Sequence, residues 1–251
     1  MIPRGLEETV FETEFGPIPL WAPPGAFGRK RPLILCITGA WEEADDMTGL
    51  AAVLAPEWDV AVMRLPGNGT PRLSETSVVA WGVAVDQLIE TAAPDRPVVV
   101  SGLSVGALVA LATRSRRIRR IIALEPPLSM DRIWPMTEGL QVFLTERPED
   151  RAFIETVFGV TDAGPSALRY HTLVEGARAP VEVMVGGAPL DPPRPIARYP
   201  SLVSEEDRAW LRGRRGVRLH VLPGAGHAIH IHAAPELIDL LKAALAAALA
   251  D

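Results

Sequence analysis

Residues 97–113 read as a buried strand that runs with no linker into a helix, and the join is Gly102, Leu103, Ser104, Val105 and Gly106. The β-branched run at 97–101 suits a strand covered on both faces. The small apolar residues at 105–113 suit a helix packed closely against it. A sharp strand-to-helix turn sets its apex residue in a strained conformation, and glycines on either side let neighbouring segments approach. Ser104 is that apex residue, so its hydroxyl is offered at the end of a sheet. This is the setting in which a G-x-S-x-G motif marks a nucleophilic serine.

The rest of the chain repeats the same strand-then-helix grammar. Strand-like runs fall at 10–15, 33–38, 60–64, 98–101, 121–124, 181–185 and 218–222, and helical stretches at 46–54, 77–91, 105–114, 205–212 and 235–250. From residue 33 the two alternate, which predicts an α/β fold with a mostly parallel sheet flanked by helices. In the last helix Leu237, Leu241, Leu245 and Leu249 recur at four-residue spacing and predict one buried face. The interval between 124 and 181 far exceeds an ordinary connection. It predicts a helical cap inserted at 126–180 within a single domain spanning 1–251. Ile133, Met136, Leu140 and Phe143 fit one helical face there, and Phe153, Ile154, Val157 and Phe158 another. The side of the cap facing the sheet would form an apolar pocket. The proline-rich stretch 189–200 reads as a stiff loop.

Composition narrows the partners. A formal charge of −6 argues against nucleic acid, whose footprint is basic. The run Arg114, Arg116, Arg117, Arg119 and Arg120 reads as solvated cations at a helix C-terminus. Asp45 and Asp46 read as caps of the helix near Met47. Cys36 is the one cysteine and lies inside an apolar strand, so a buried thiol is expected. The first fifteen residues carry four glutamates and no apolar core of a secretory signal. The last helix, interrupted by Asp239 and Lys242, is too short for a bilayer. A cytoplasmic protein with no membrane partner is the expectation, and the sequence leaves room for a homo-oligomer.

A serine needs a base, and the base needs a group to orient it. His227, in Pro223, Gly224, Ala225, Gly226, His227, is the predicted base, on a loop between the final strand and the final helix. Two acids compete. Asp191 follows the strand at 181–185 and gives the chain order Ser, Asp, His, and it is favoured. Glu125 follows the strand at 121–124, whose carboxyl end faces the same crevice. Charge developing on the substrate would be met by the backbone N–H of Val105 and, after the strand at 33–38, by that of Ala40. Gly39, expected to sit at positive φ, and Trp41 would border the substrate pocket. His230 and His232 match no metal-ligand spacing, and His171 and His220 show no partner in the sequence. No metal or cofactor is called for.

The elbow, the Ser, Asp, His order and the segment Gly224, Ala225, Gly226, His227 together resemble the α/β-hydrolase superfamily over nearly the whole chain from Leu33. Leu65, Pro66, Gly67, Asn68 and Gly69 are similar to the loop after the family's fourth strand, usually PGHG, with Asn68 in place of histidine. Thr38 and Gly39 stand where most relatives carry His-Gly, and Asp191 lies a residue or two farther from Gly186 than is common. The resemblance implies a serine hydrolase. Ser104 would attack an ester or thioester carbonyl, His227 would shuttle the proton, and a small-molecule substrate with an apolar acyl or alcohol group would be cleaved through an acyl-enzyme. An acyltransferase, a carbon–carbon bond hydrolase or a catalytically weak binding protein would use the same residues. A serine nucleophile argues against the family's dehalogenases, which place a carboxylate there.

Overall fold

The computed structural model describes residues 5–43, 53–54, 57–196 and 198–250. Its main sheet begins with β1 (Glu7–Thr13), β2 (Gly16–Ala22), β3 (Leu33–Ile37), β4 (Asp59–Met63), β5 (Val98–Leu103) and β6 (Ile118–Leu124). A two-strand hairpin, β7 (Val160–Thr161) and β8 (Gly164–Pro165), stands apart. β9 (Val181–Gly186) and β10 (Val217–Leu222) complete the sheet in the order β1-β2-β4-β3-β5-β6-β9-β10. β2 runs antiparallel to β1 and β4, and every other pair is parallel. The longer α-helices are α1 (Val78–Ala92), α2 (Val105–Ala112), α3 (Trp134–Glu146), α4 (His171–Glu175), α5 (Glu205–Arg212) and α6 (Ala234–Ala250).

The topology dictates where a site can form. From β3 the chain steps to β4 on one side, then crosses back to β5 on the other, so the strand order reverses between β3 and β5. Loops leaving the carboxyl ends of two such strands diverge and open a crevice. Thr38, Gly39 and Ala40 leave β3 there, and Ser104 leaves β5.

Strand alternation divides the core. Leu33, Leu35 and Ile37 face the side covered by Trp81, Leu88 and other residues of α1, with α2 beside them, while Ile34 and Cys36 face Leu237, Leu241 and Leu245 of α6. Two of the helices, α1 and α5, start where a side chain supplies an acceptor. The Ser77 hydroxyl accepts the Ala80 N–H at 3.0 Å, and the Ser204 hydroxyl accepts the Asp207 N–H at 3.1 Å. Among the described residues no helix is long and apolar enough to cross a membrane.

The structure departs from the sequence reading in several places. The strand expected at 10–15 is one arm of a hairpin, because β2 follows immediately despite Pro17 and Pro19. Those prolines fall outside Leu20 and Trp21, the stretch that pairs with β4, so that ladder asks no N–H of them. Leu249 is 49% exposed. Four-residue spacing drifts by about 40° per step on a helix of 3.6 residues per turn, so by the third step the stripe has left the sheet, and Ala244 and Ala248 are buried instead. The arginine run is not a helix end: α2 stops at Ala112, and Arg119 and Arg120 lie in β6. Arg120 is buried against Glu182 at 2.8 Å. Asp45, Asp46 and most of the expected helix at 46–54 lie outside the described residues.

Between β6 and β9 the chain forms α3, a helical run at 148–158 that ends in the π-helical turn Ile154–Phe158, the β7–β8 hairpin and α4. Ile133, Leu140, Phe153, Ile154, Val157 and Phe158 are buried, and Met136 and Phe143 are half-buried against them. They join one continuous apolar cluster with Trp81 and the sheet, so this segment shares the main core rather than enclosing its own.

Candidate active site

Ser104 has φ 55 and ψ −120, a left-handed backbone that non-glycine residues avoid. The glycines around it are required by contact. A Cβ on Gly102 would meet the Gly106 carbonyl oxygen at 2.1 Å, and one on Gly106 would meet the Thr38 carbonyl oxygen at 2.3 Å. The elbow is therefore wedged between β5, its own helix and the end of β3. The Ser104 N–H donates to the Leu124 carbonyl at 2.8 Å, tying the turn to β6. Val105 opens α2, and the first N–H groups of a helix have no intrahelical acceptor. The Ser104 hydroxyl makes no hydrogen bond among the described residues.

The imidazole predicted as base is held by the acid the sequence ranked second. His227 Nδ1 lies 3.2 Å from Glu125 Oε2, and the Glu125 side chain is wholly buried. The same carboxylate accepts the Leu202 N–H at 2.9 Å and the Ser201 hydroxyl at 3.1 Å on Oε2, and the Gly186 N–H at 2.5 Å on Oε1. Glu125 itself sits at φ 53, immediately after β6, which turns its side chain across the sheet end toward the His227 loop. That loop is fixed by the His227 N–H donating to the carbonyls of Tyr199 at 3.2 Å and Pro200 at 3.1 Å. Asp191, the favoured acid, is exposed beyond β9, and its carboxylate makes no hydrogen bond or ion pair among the described residues. The segment 199–202 intervenes instead: it packs on Gly226 and supplies two of the donors to Glu125. No pattern in the sequence marks Ser201 or Leu202 for that task.

At the end of β3 the strain falls on a different residue from the one expected. Gly39 is absent from the left-handed region, whereas Trp41 has φ 59. A Cβ at 39 would lie 2.8 Å from the Glu42 carboxylate, which accepts the Gly39 N–H at 2.7 Å, so a larger residue would displace that side chain. The next N–H groups, of Ala40 and Trp41, make no hydrogen bond among the described residues. Trp41 faces the inserted segment: its ring stacks on Phe158 at 5.7 Å and meets Phe143 and Phe153 edge-on, each at 5.3 Å. At the two departures from the hydrolase motifs, the Thr38 hydroxyl and the Asn68 amide nitrogen are buried with no hydrogen-bond partner among the described residues.

Three other histidines pair with groups other than Ser104. His171 Nε2 lies 2.9 Å from Asp207, and His220 Nε2 lies 2.7 Å from Glu182. His232 Nδ1 accepts the Gly226 N–H at 3.4 Å; burial and then Arg198 hold its imidazole below the ordinary value. Among the described residues no group of three or more His, Cys, Asp or Glu side chains is placed to hold a metal ion.

Solved structures share this architecture. A carboxylesterase, CesB, from Bacillus subtilis superposes with a TM-score of 0.67 at 14% identity, covering 97% of this chain and 93% of its own. An esterase of Pyrococcus furiosus gives 0.64 at 16% identity, over 96% and 90%. A thioesterase domain from the curacin biosynthetic pathway gives 0.63 at 19%, over 94% and 99%. Identities this low speak for the fold alone. No curated protein matches the sequence. The sequence does match the alpha/beta hydrolase family over residues 34–240, a span that holds the elbow, Glu125 and His227. With the switch-point crevice and the strained serine at its mouth, that match shows that the chain belongs to the alpha/beta hydrolase family.

Proposed function

We propose that the protein hydrolyses a carboxylic ester or thioester of a small molecule, with Ser104 as nucleophile, His227 as general base and acid, and Glu125 as the group that orients the imidazole. The observation that carries this reading is the His227–Glu125 pair at 3.2 Å on the sheet end that bears the strained Ser104. A carboxylate accepting from Nδ1–H leaves Nε2 unprotonated and free to act as base. The imidazole would close on the hydroxyl when substrate binds, since catalytic hydrogen bonds are often loose in a free enzyme and tighten in the complex.

The steps follow. Ser104 Oγ attacks the carbonyl carbon as its proton passes to His227 Nε2. The oxygen then carries negative charge, which the N–H groups of Val105 and Ala40 would receive in an environment arranged before the reaction. Collapse breaks the bond to the alcohol or thiol, which leaves with the proton from Nε2. Water, deprotonated by the same nitrogen, releases the acid and restores the serine. The names of the solved relatives, two esterases and a thioesterase, support this bond class. The side chains of Trp41 and Phe143, half-buried against the core, support an apolar acyl or alcohol group.

The test is turnover of p-nitrophenyl esters and acyl thioesters of graded chain length. Wild type is expected to turn over at least one series, and Ser104→Ala or His227→Ala to lower kcat by about three orders of magnitude or more. Undiminished turnover in either variant would overturn the assignment.

A further inference from the structure

We infer that Asp150 is a positioning residue for the oxyanion-binding loop, acting through the indole of Trp41. This rests on the hydrolase reading above. Trp41 holds a bulky side chain at φ 59, a conformation that persists only where surroundings impose it. Its surroundings come from the inserted segment. The ring is stacked and edge-packed by Phe158, Phe143 and Phe153, and its indole N–H donates to Asp150 Oδ2 at 2.9 Å.

Asp150 is itself fixed from several directions. Its residue is 8% exposed. Oδ1 lies 3.4 Å from Arg72 Nη2, on the segment after β4, and Oδ2 lies 4.0 Å from Arg147 Nη1. Arg72 also donates to the Glu149 carbonyl, and the Arg147 guanidinium sits 4.5 Å over the Phe143 ring. One carboxylate therefore joins the inserted segment, the loop after β4 and the loop after β3.

The consequence falls on the residue between two clamps. Gly39 is held by the Glu42 carboxylate at 2.7 Å, and Trp41 by Asp150 at 2.9 Å. Ala40 lies between them with its N–H making no hydrogen bond among the described residues. Fixing the residues on either side fixes the plane of the peptide that carries this donor, which is the preorganisation an oxyanion requires. Without the indole anchor, Trp41 can relax toward negative φ, which rotates the Ala40–Trp41 peptide and, through the Ala40 backbone, moves the N–H that Ala40 presents. Substrate would still bind, but the developing oxyanion would lose a donor.

The test compares an oxoester with its thionoester in wild type, Asp150→Ala, Asp150→Asn and Trp41→Phe, with thermal melts for each. Sulfur is larger than oxygen and a weak acceptor, so the thionoester gains little from an oxyanion donor. Losing one such donor lowers kcat by about 10²–10³-fold. A misplaced donor is expected to give about 10–100-fold on the oxoester in Asp150→Ala and in Trp41→Phe, with KM within about threefold. The thionoester rate should change little, so the oxo-to-thiono ratio collapses. Asp150→Asn keeps an oxygen acceptor for the indole and is expected to hold the ratio near wild type. Trp41→Phe keeps an aromatic, smaller ring while removing the N–H, so it decides the matter even if Asp150→Ala does not fold. Equal losses on both esters, or an unchanged ratio in folded Trp41→Phe, would overturn the inference. A wild-type protein inert on both esters would overturn the hydrolase reading and this inference with it.

Discussion

Changing Glu125 to Gln tests whether one carboxylate serves both stability and activity. Oε2 receives three donors, from Leu202 at 2.9 Å, Ser201 at 3.1 Å and His227 at 3.2 Å, and Oε1 receives the Gly186 N–H at 2.5 Å. An amide offers one acceptor oxygen and one NH₂. With the oxygen toward the three donors, the NH₂ opposes the Gly186 N–H; flipped, it opposes all three. The first orientation wins by count and leaves two buried donors facing each other unpaired, the Gly186 N–H and the amide NH₂, which together cost about 2–6 kcal/mol. For a chain of this size that lowers Tm by about 4–24 °C. In this orientation His227 keeps its tautomer but loses the negative charge that supports the imidazolium. The expected fall in kcat therefore lies between about 10² and the roughly 10⁴-fold seen where an Asp-to-Asn change also reverses the tautomer. Steady-state kinetics on a p-nitrophenyl ester and a thermal melt read both effects. Asp191→Asn serves as the control and is expected within about twofold of wild type. A Glu125→Gln enzyme with kcat within threefold of wild type, or an equal loss in Asp191→Asn, would refute the reasoning.

Two further expectations concern the buried core around the site. The Thr38 hydroxyl is buried without a partner, so Thr38→Val should remove an unmet polar group and raise stability by about 1 kcal/mol, read as a Tm gain of about 2–4 °C; a lower Tm would show that the hydroxyl is paired in solution. Burial pushes the Cys36 thiol up to about 12 from an ordinary 9.0, so the folded state favours the protonated form. The unfolded chain then loses this proton first as pH rises, and the associated stability is full below about 9 and declines through about 12. Iodoacetamide at pH 8 should leave the folded thiol unlabelled and modify it only after denaturation, whereas rapid labelling of the folded protein would contradict its burial.

What the sequence made legible was local. Gly102 and Gly106 announced the elbow because a Cβ at either would lie 2.1 or 2.3 Å from a neighbouring carbonyl oxygen, and the first of those contacts is only four residues away. His227 was legible for the same reason, set in a glycine loop after a strand. The carboxylate that meets His227 was only the second choice, because Glu125 lies 102 positions away and two of the donors that fix it come from Ser201 and Leu202, in a stretch with no motif. Chain order pointed to Asp191, but order says nothing about which loop folds inward. Gly39 misled in a similar way. The glycine answers to the Glu42 side chain, while the strained backbone belongs to Trp41, whose restraint comes from Phe143, Asp150, Phe153 and Phe158 far along the chain. The four-leucine face of α6 failed at Leu249 because a spacing of four is only approximately helical.

The central claim is an activated serine at the strained apex of the β5–α2 turn. Its most direct test is intact-mass analysis after exposure to a fluorophosphonate, with Ser104→Ala and His227→Ala alongside, since the reagent reports the nucleophile without knowledge of the substrate. The account expects one adduct on wild type, mapped to Ser104, none on Ser104→Ala and a much slower one on His227→Ala. No adduct on the folded wild type, or an adduct that persists in Ser104→Ala, would contradict it.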